Sequence, residues 1–319
     1  MRKIIVLFPI LFCLAIVSCR KGNTADSVNQ TDSLGSGWSK VDIGEGNFFI
    51  DVFFFGSMGF GTGEKSIFIS RNEGTTWAIA YQAELEITNI AMGSKNNAVF
   101  VSGSGGKIYF TSNGGDSFDS TTVADSGIYD AFFVSENMAY ALGDNLWKTT
   151  DGGNSWELLH AFTPPSRFYK TLFFSDEMNG WVSVPTGLFK TTDGGVNWVK
   201  IDSDLFSWTI GGIFFHDANS GYISNRNNIL KTEDGGASWN IVYTDPQGVA
   251  IDIHFVTRNL GYFNTQKSIY KTTDGGLSWS KEVRLRQDGG NSGAVELHFT
   301  DANHGWVSGS LGSILKYVR

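Results

Sequence analysis

Cysteine is almost absent. The chain of 319 residues has two, Cys13 and Cys19, and both fall in the first nineteen positions. The body of the chain therefore has no thiol for a nucleophile, a cysteine zinc site or a disulfide framework. Proline is scarce at 5, and the 39 glycines follow no three-residue period, which excludes collagen. Charged residues make up only 18% and aromatics as much as 14%, the opposite of a disordered composition. Basic side chains are outnumbered, 24 against 32 acidic, for a net charge of -8. An acidic chain is a poor general phosphate binder, so no nucleic acid partner is expected.

The one long apolar run, Ile4 to Val17, is short for a membrane-spanning helix and follows Arg2 and Lys3. Residues 1–18 therefore read as a signal peptide. The sequence Ile16-Val17-Ser18-Cys19 resembles the bacterial lipobox. That resemblance implies cleavage before Cys19 and lipidation of its thiol. Residues 19–36 are polar and read as a flexible lipidated tether. Arg20, where an aspartate would signal inner-membrane retention, points to the outer membrane. The expected location is thus the bacterial cell envelope, with the membrane reached through lipid on Cys19.

Beyond the tether a unit of about forty residues repeats. A short motif recurs from Ser70–Trp77 to Thr272–Trp279, in forms such as TTDGGNSW. A second column holds Phe60, Phe100, Tyr140, Trp181, Tyr222, Tyr262 and Trp306, often after glycine. A third opens each repeat with Phe54, Ala91, Phe133, Phe174, Phe215, Phe255 or Phe299. Four short strands per unit, A to D, repeated seven times, predict an all-β seven-bladed propeller over residues 37–319. The last unit has strands A to C and the segment before the first unit has only strand D. Residues 38–43 are therefore expected to complete the seventh blade and close the ring without an exposed edge.

The motif S/T-x-D-x-G-x-S/T-W is identified as the Asp-box, or bacterial neuraminidase repeat. It has Asp151, Asp193, Asp234 and Asp274 in four copies, and Asn72 and Asn113 in two. A carboxylate or amide here accepts backbone N–H groups across a tight turn, and glycine allows positive φ. The reading is structural. Lys148, Lys190, Lys231, Lys271 and Lys316 on strand C read as a solvated column. The composite pattern from Leu172 to Trp198 resembles the photosystem II stability and assembly factor family. Sortilin domains, sialidases and xyloglucanases share the architecture. The resemblance implies a propeller that binds protein subunits without catalysis, with no cofactor.

Candidate site residues follow from the predicted geometry. One aligned position of strand A holds Asp51, Asp130, Asp252 and Glu296, around the mouth of the central channel on the D–A loop face. Two carboxylates flanking a cleft suffice for glycoside hydrolysis, so the alternative is a carbohydrate-active or glycan-binding propeller. The bland reading is that they accept loop N–H bonds. Two residues further on, His254 and His298 stand where other blades have Phe or Ile, and form a candidate metal pair. Long D–A loops carry Arg167, Tyr169, Trp208, Arg284 and Arg286, a set suited to a protein surface or to sugar stacking. An envelope protein or a glycan is the expected partner.

Overall fold

The structure is a computed structural model. It describes residues 36–41, 43, 49–162, 171–206, 210–246, 248–285, 294–309 and 313–319. These form seven four-stranded antiparallel sheets and no helix. In six sheets the strands follow chain order from the inside outward. Blades one to six span 51–82, 87–122, 130–161, 171–201, 210–244 and 250–284. Blade seven takes its three inner strands from 294–318 and its outer strand, Trp38–Val41, from the other end of the chain. Trp38 pairs with Tyr317 and Val41 with Ile314, so the expected closure is present. The seven inner strands touch one another in sequence and close a ring around the channel.

The two aromatic columns are one stacking system. In blades one, four, five, six and seven the strand A phenylalanine lies flat on the strand B aromatic of the blade before it. Phe174 stacks on Tyr140 at 4.0 Å, Phe215 on Trp181 at 3.5 Å, and Phe299 on Tyr262 at 4.0 Å. Phe54 on Trp306, at 3.7 Å, joins the first blade to the last. Such pairs add to the large area that buried aromatics remove from water. They also explain the glycine before the strand B aromatic. A Cβ at Gly180 would sit 2.5 Å from the Phe174 ring, and one at Gly305 2.2 Å from Phe299.

The recurring turn locks the C–D end of blades one to six. Thr149 Oγ1 donates to Asp151 Oδ1 at 2.7 Å, and the Ser155 backbone N–H to the same oxygen at 2.9 Å. The Trp156 indole N–H donates to the Gly153 carbonyl at 3.0 Å. Gly152 and Gly153 hold φ of 74° and 102°, the left-handed region open to glycine. The Gly152 N–H then reaches the Asn137 carbonyl in the A–B turn of the same blade. The next link crosses to the neighbouring blade. The Tyr140 hydroxyl donates to the Gly194 carbonyl at 2.9 Å, and the Tyr222 hydroxyl to that of Gly275 at 2.6 Å. Asp193, Asp234 and Asp274 make the same turn. Hydrogen bonds hold their carboxyls at about 2, led by the Asn197 backbone N–H at Asp193 and by the Ser238 and Ser278 hydroxyls at the others. The strand C lysines depart from the expected solvated column. Lys190 Nζ lies 5.2 Å above the Trp181 ring and Lys148 Nζ 5.6 Å above Tyr140. Both are half-buried, with their stems along apolar surface.

Candidate functional site: the channel

Inner strands present alternate residues to the channel, and this builds two tiers. The tier nearer the D–A loops holds Asp51, Asp130, Asp252 and Glu296. The next is aromatic. Phe132 meets Phe173 at 5.0 Å, Phe173 meets Phe214 at 5.4 Å, and Phe214 meets His254 at 5.6 Å. His254 and His298 are 6.1 Å apart, and His298 lies 4.0 Å from Phe53. Ile90 completes this tier. The carboxylates therefore stand on an apolar floor.

Three of the four carboxylates bridge blades. Asp51 Oδ2 accepts the Ile90 N–H at 2.7 Å, Asp130 Oδ2 that of Leu172 at 2.8 Å, and Asp252 Oδ2 that of Leu297 at 3.1 Å. In each case the donor is on the inner strand of the following blade. Asp130 and Asp252 also take the N–H of their own next residue. These bonds favour the ionised form, but burial outweighs them. Burial first, then mutual repulsion, pushes Asp51 and Asp130 up to about 7. Burial also pushes Asp252 up to about 6. Glu296 has no hydrogen-bond partner among the described residues. It rises well above the usual range through burial and the charges of Asp252, Asp51 and Asp130. All four carboxyls are thus held above the usual carboxylate range.

The histidines also bridge blades. The His298 Nε2 meets the Phe54 carbonyl of blade one at 2.7 Å. His254 is tied to the Phe299 backbone of blade seven. Burial holds both neutral, His254 down to about 4 and His298 to about 3. Among the described residues no group of three or more His, Cys, Asp or Glu side chains is arranged to hold a metal ion.

Asn89 is a member of this bridging set that the aligned column omits. Its Oδ1 accepts the Ala131 N–H at 3.1 Å between blades two and three. An irregularity in pairing between Ile87 and Asn89 shifts it one place from the aligned Thr88. Its signal in the sequence is the one amide in the inner strand Ile87–Met92. Arg284 ends strand D of blade six and is exposed. Arg167, Tyr169, Trp208 and Arg286 lie outside the described residues, as does Cys19 with the rest of residues 19–35.

A family model matches part of the chain. Residues 123–253 match the family model of the photosynthesis system II assembly factor YCF48. That span covers blades three to five and the start of blade six. A structure of YCF48 bound to a D1 peptide is similar over 89% of this chain and 97% of its own, with a TM-score of 0.74 and 16% identity. YCF48 from Cyanidioschyzon merolae gives 0.72, at 16% identity, over 89% and 99% of the two chains. The GH74 xyloglucanase from Xanthomonas campestris gives 0.68, at 13% identity, over 86% of this chain but 52% of its own. At these identities the structures share the fold. A search of curated proteins returns no match.

Proposed function

We propose that the chain is a non-catalytic protein-binding or assembly scaffold, held in the bacterial envelope by lipid on Cys19 and located at the outer membrane. The observation that carries this reading is the match of residues 123–253 to the YCF48 family model. The likeness to a YCF48 structure that holds a peptide supports a polypeptide as partner. The recurring turn is, in this reading, the Asp-box, acting as a clasp. The binding surface is the D–A loop face, with Arg167, Tyr169, Trp208, Arg284 and Arg286 as its anchors. Arginine and large aromatics dominate the energetics of protein interfaces.

The channel chemistry supports binding over turnover. Glycoside hydrolysis needs one protonated and one free carboxylate across a cleft. Here Asp51, Asp130 and Asp252 each accept a backbone N–H across a blade boundary. Of the four, Glu296 alone has no hydrogen-bond partner among the described residues. Incubation with xyloglucan and related β-glucans, followed by reducing-end assay, tests the point. The scaffold reading expects no turnover. Hydrolysis by the parent and its loss in Glu296→Gln would instead establish a glycoside hydrolase.

A further inference from the structure

The A–B and C–D turns share one end of the propeller, opposite the D–A loops. On that end a groove of about 550 Å³ opens between blades seven, one and two. Phe53 and Phe299 wall it and Met92 forms part of its lining. Phe55, at the tip of the blade-one inner strand, borders it with 47% of its surface exposed. Glu73 and Asp301 stand on its rim, and no lysine or arginine lines it. Lys316, outside the lining, pairs with Glu73 at 3.5 Å, and His304 Nδ1 is 2.9 Å from Asp301. From Glu73 in blade one to Asp301 in blade seven, every blade places at least one carboxylate on this end.

Glu73 is the informative position. It occupies the slot that Gly152, Gly194, Gly235 and Gly275 fill in other turns. Its backbone is in the same left-handed region, with φ of 56°. Glycine adopts that conformation freely and glutamate does not. The blade thus keeps a carboxylate on the groove rim against local backbone preference, as strained residues at binding sites do.

We propose that this groove is a docking site for a polypeptide segment that carries an aromatic or long aliphatic side chain between lysines or arginines. The apolar side chain fills the Phe- and Met-lined trough, where methionine adapts to differing shapes. The basic neighbours meet Glu73 and Asp301. An acidic end with no lining cation repels anionic segments and favours this charge pattern. The site is on a different face from the D–A loops and stands independently of the scaffold reading.

Calorimetric titration of the full chain with the acetylated, amidated peptide KKFKK tests it, with EEFEE and KKSKK as companions. KKFKK is expected to bind, and to weaken by about tenfold between about 20 mM and about 200 mM salt. EEFEE and KKSKK should each bind at least about tenfold more weakly. Phe55→Ser and Glu73→Gly should each reduce KKFKK affinity at least about fivefold. Glu73→Gly should melt no lower than the parent, because it relieves a strained residue. A loss of binding in it therefore cannot be ascribed to unfolding. No binding of KKFKK, equal binding of EEFEE, or parental affinity in both variants overturns the proposal.

Discussion

The Asp130 carboxylate accepts the Leu172 backbone N–H at 2.8 Å, although the two residues belong to different blades. Asp51 with Ile90 and Asp252 with Leu297 repeat the relationship. A propeller has no backbone ladder between blades, so side chains must satisfy these inner-strand donors. Removing the acceptor leaves a buried N–H without a partner, at a cost of about 1–3 kcal/mol. Asp130→Ala is therefore expected to lower the denaturant midpoint clearly. Asp130→Asn keeps an acceptor oxygen and should lie close to the parent. Equal loss in both variants would show that the bridge contributes nothing.

The same carboxylates make stability depend on pH. Their folded values, about 7 for Asp51 and Asp130 and about 6 for Asp252, exceed the unfolded value of about 4. The folded state therefore binds more protons. This contribution is full below about 4 and is lost as pH rises through about 7. His254 and His298 act in the opposite sense, because folding lowers them to about 4 and about 3. Their contribution is full above about 6.5 and is lost as pH falls toward those values. A variant isolates the ring. Glu296→Gln should gain stability relative to the parent as pH rises from about 5 to about 8. Urea titrations at several pH values read this, and a constant difference between the two proteins contradicts it.

Gly180 lies under the Phe174 ring. A methyl group there would be 2.5 Å from the ring and would force Phe174 off its stack with Tyr140. Gly180→Ala is expected to cost about 1–3 kcal/mol, the usual range for overpacking a core. Thermal melting checks this, and an unchanged midpoint would mean that the stack tolerates displacement.

Trp38 closes the ring. It is buried, and its ring centroid lies 5.2 Å from that of Tyr317 and 6.2 Å from that of Phe299. Trp38→Ala should cost about 3–5 kcal/mol, as large-to-small core changes do. Deletion of residues 37–41 should cost more, since it also exposes the edge of the strand Ser313–Val318. Parental melting of the deletion would refute closure by this strand.

The proposed lipid anchor has its own test. Cys19→Ser should leave the propeller folded and move it from the detergent phase to the aqueous phase. In the lipid-anchored reading acyl chains would supply the membrane affinity, because an acidic domain has little attraction to an anionic bilayer. Retention in the detergent phase would place the anchor elsewhere.

The propeller was legible because its packing repeats in register. The Phe column, the glycine–aromatic pair and the turn motif each mark one contact made in blade after blade. Contacts between blades were less legible. Asp130 and Leu172 lie in separate repeats, so the aligned carboxylates read equally well as catalytic groups or as strand caps. Asn89 was hidden by a local pairing irregularity. The strand C lysines looked solvated because their cross-strand aromatic partners are out of view in a linear chain. The groove at Phe55 has no signature in the linear chain for a similar reason, since residues from three blades build it.

Site-directed photocrosslinking in cells tests the central claim, a scaffold that binds protein through its D–A loop face, most directly. A benzophenone amino acid replaces Arg284 in one strain and Val199 in another. Arg284 ends strand D of blade six, and Val199 is exposed on the outer edge of blade four. The account expects a discrete adduct with one polypeptide from position 284 and none from position 199. Absence of any adduct at 284, or the same adducts from both positions, would contradict it.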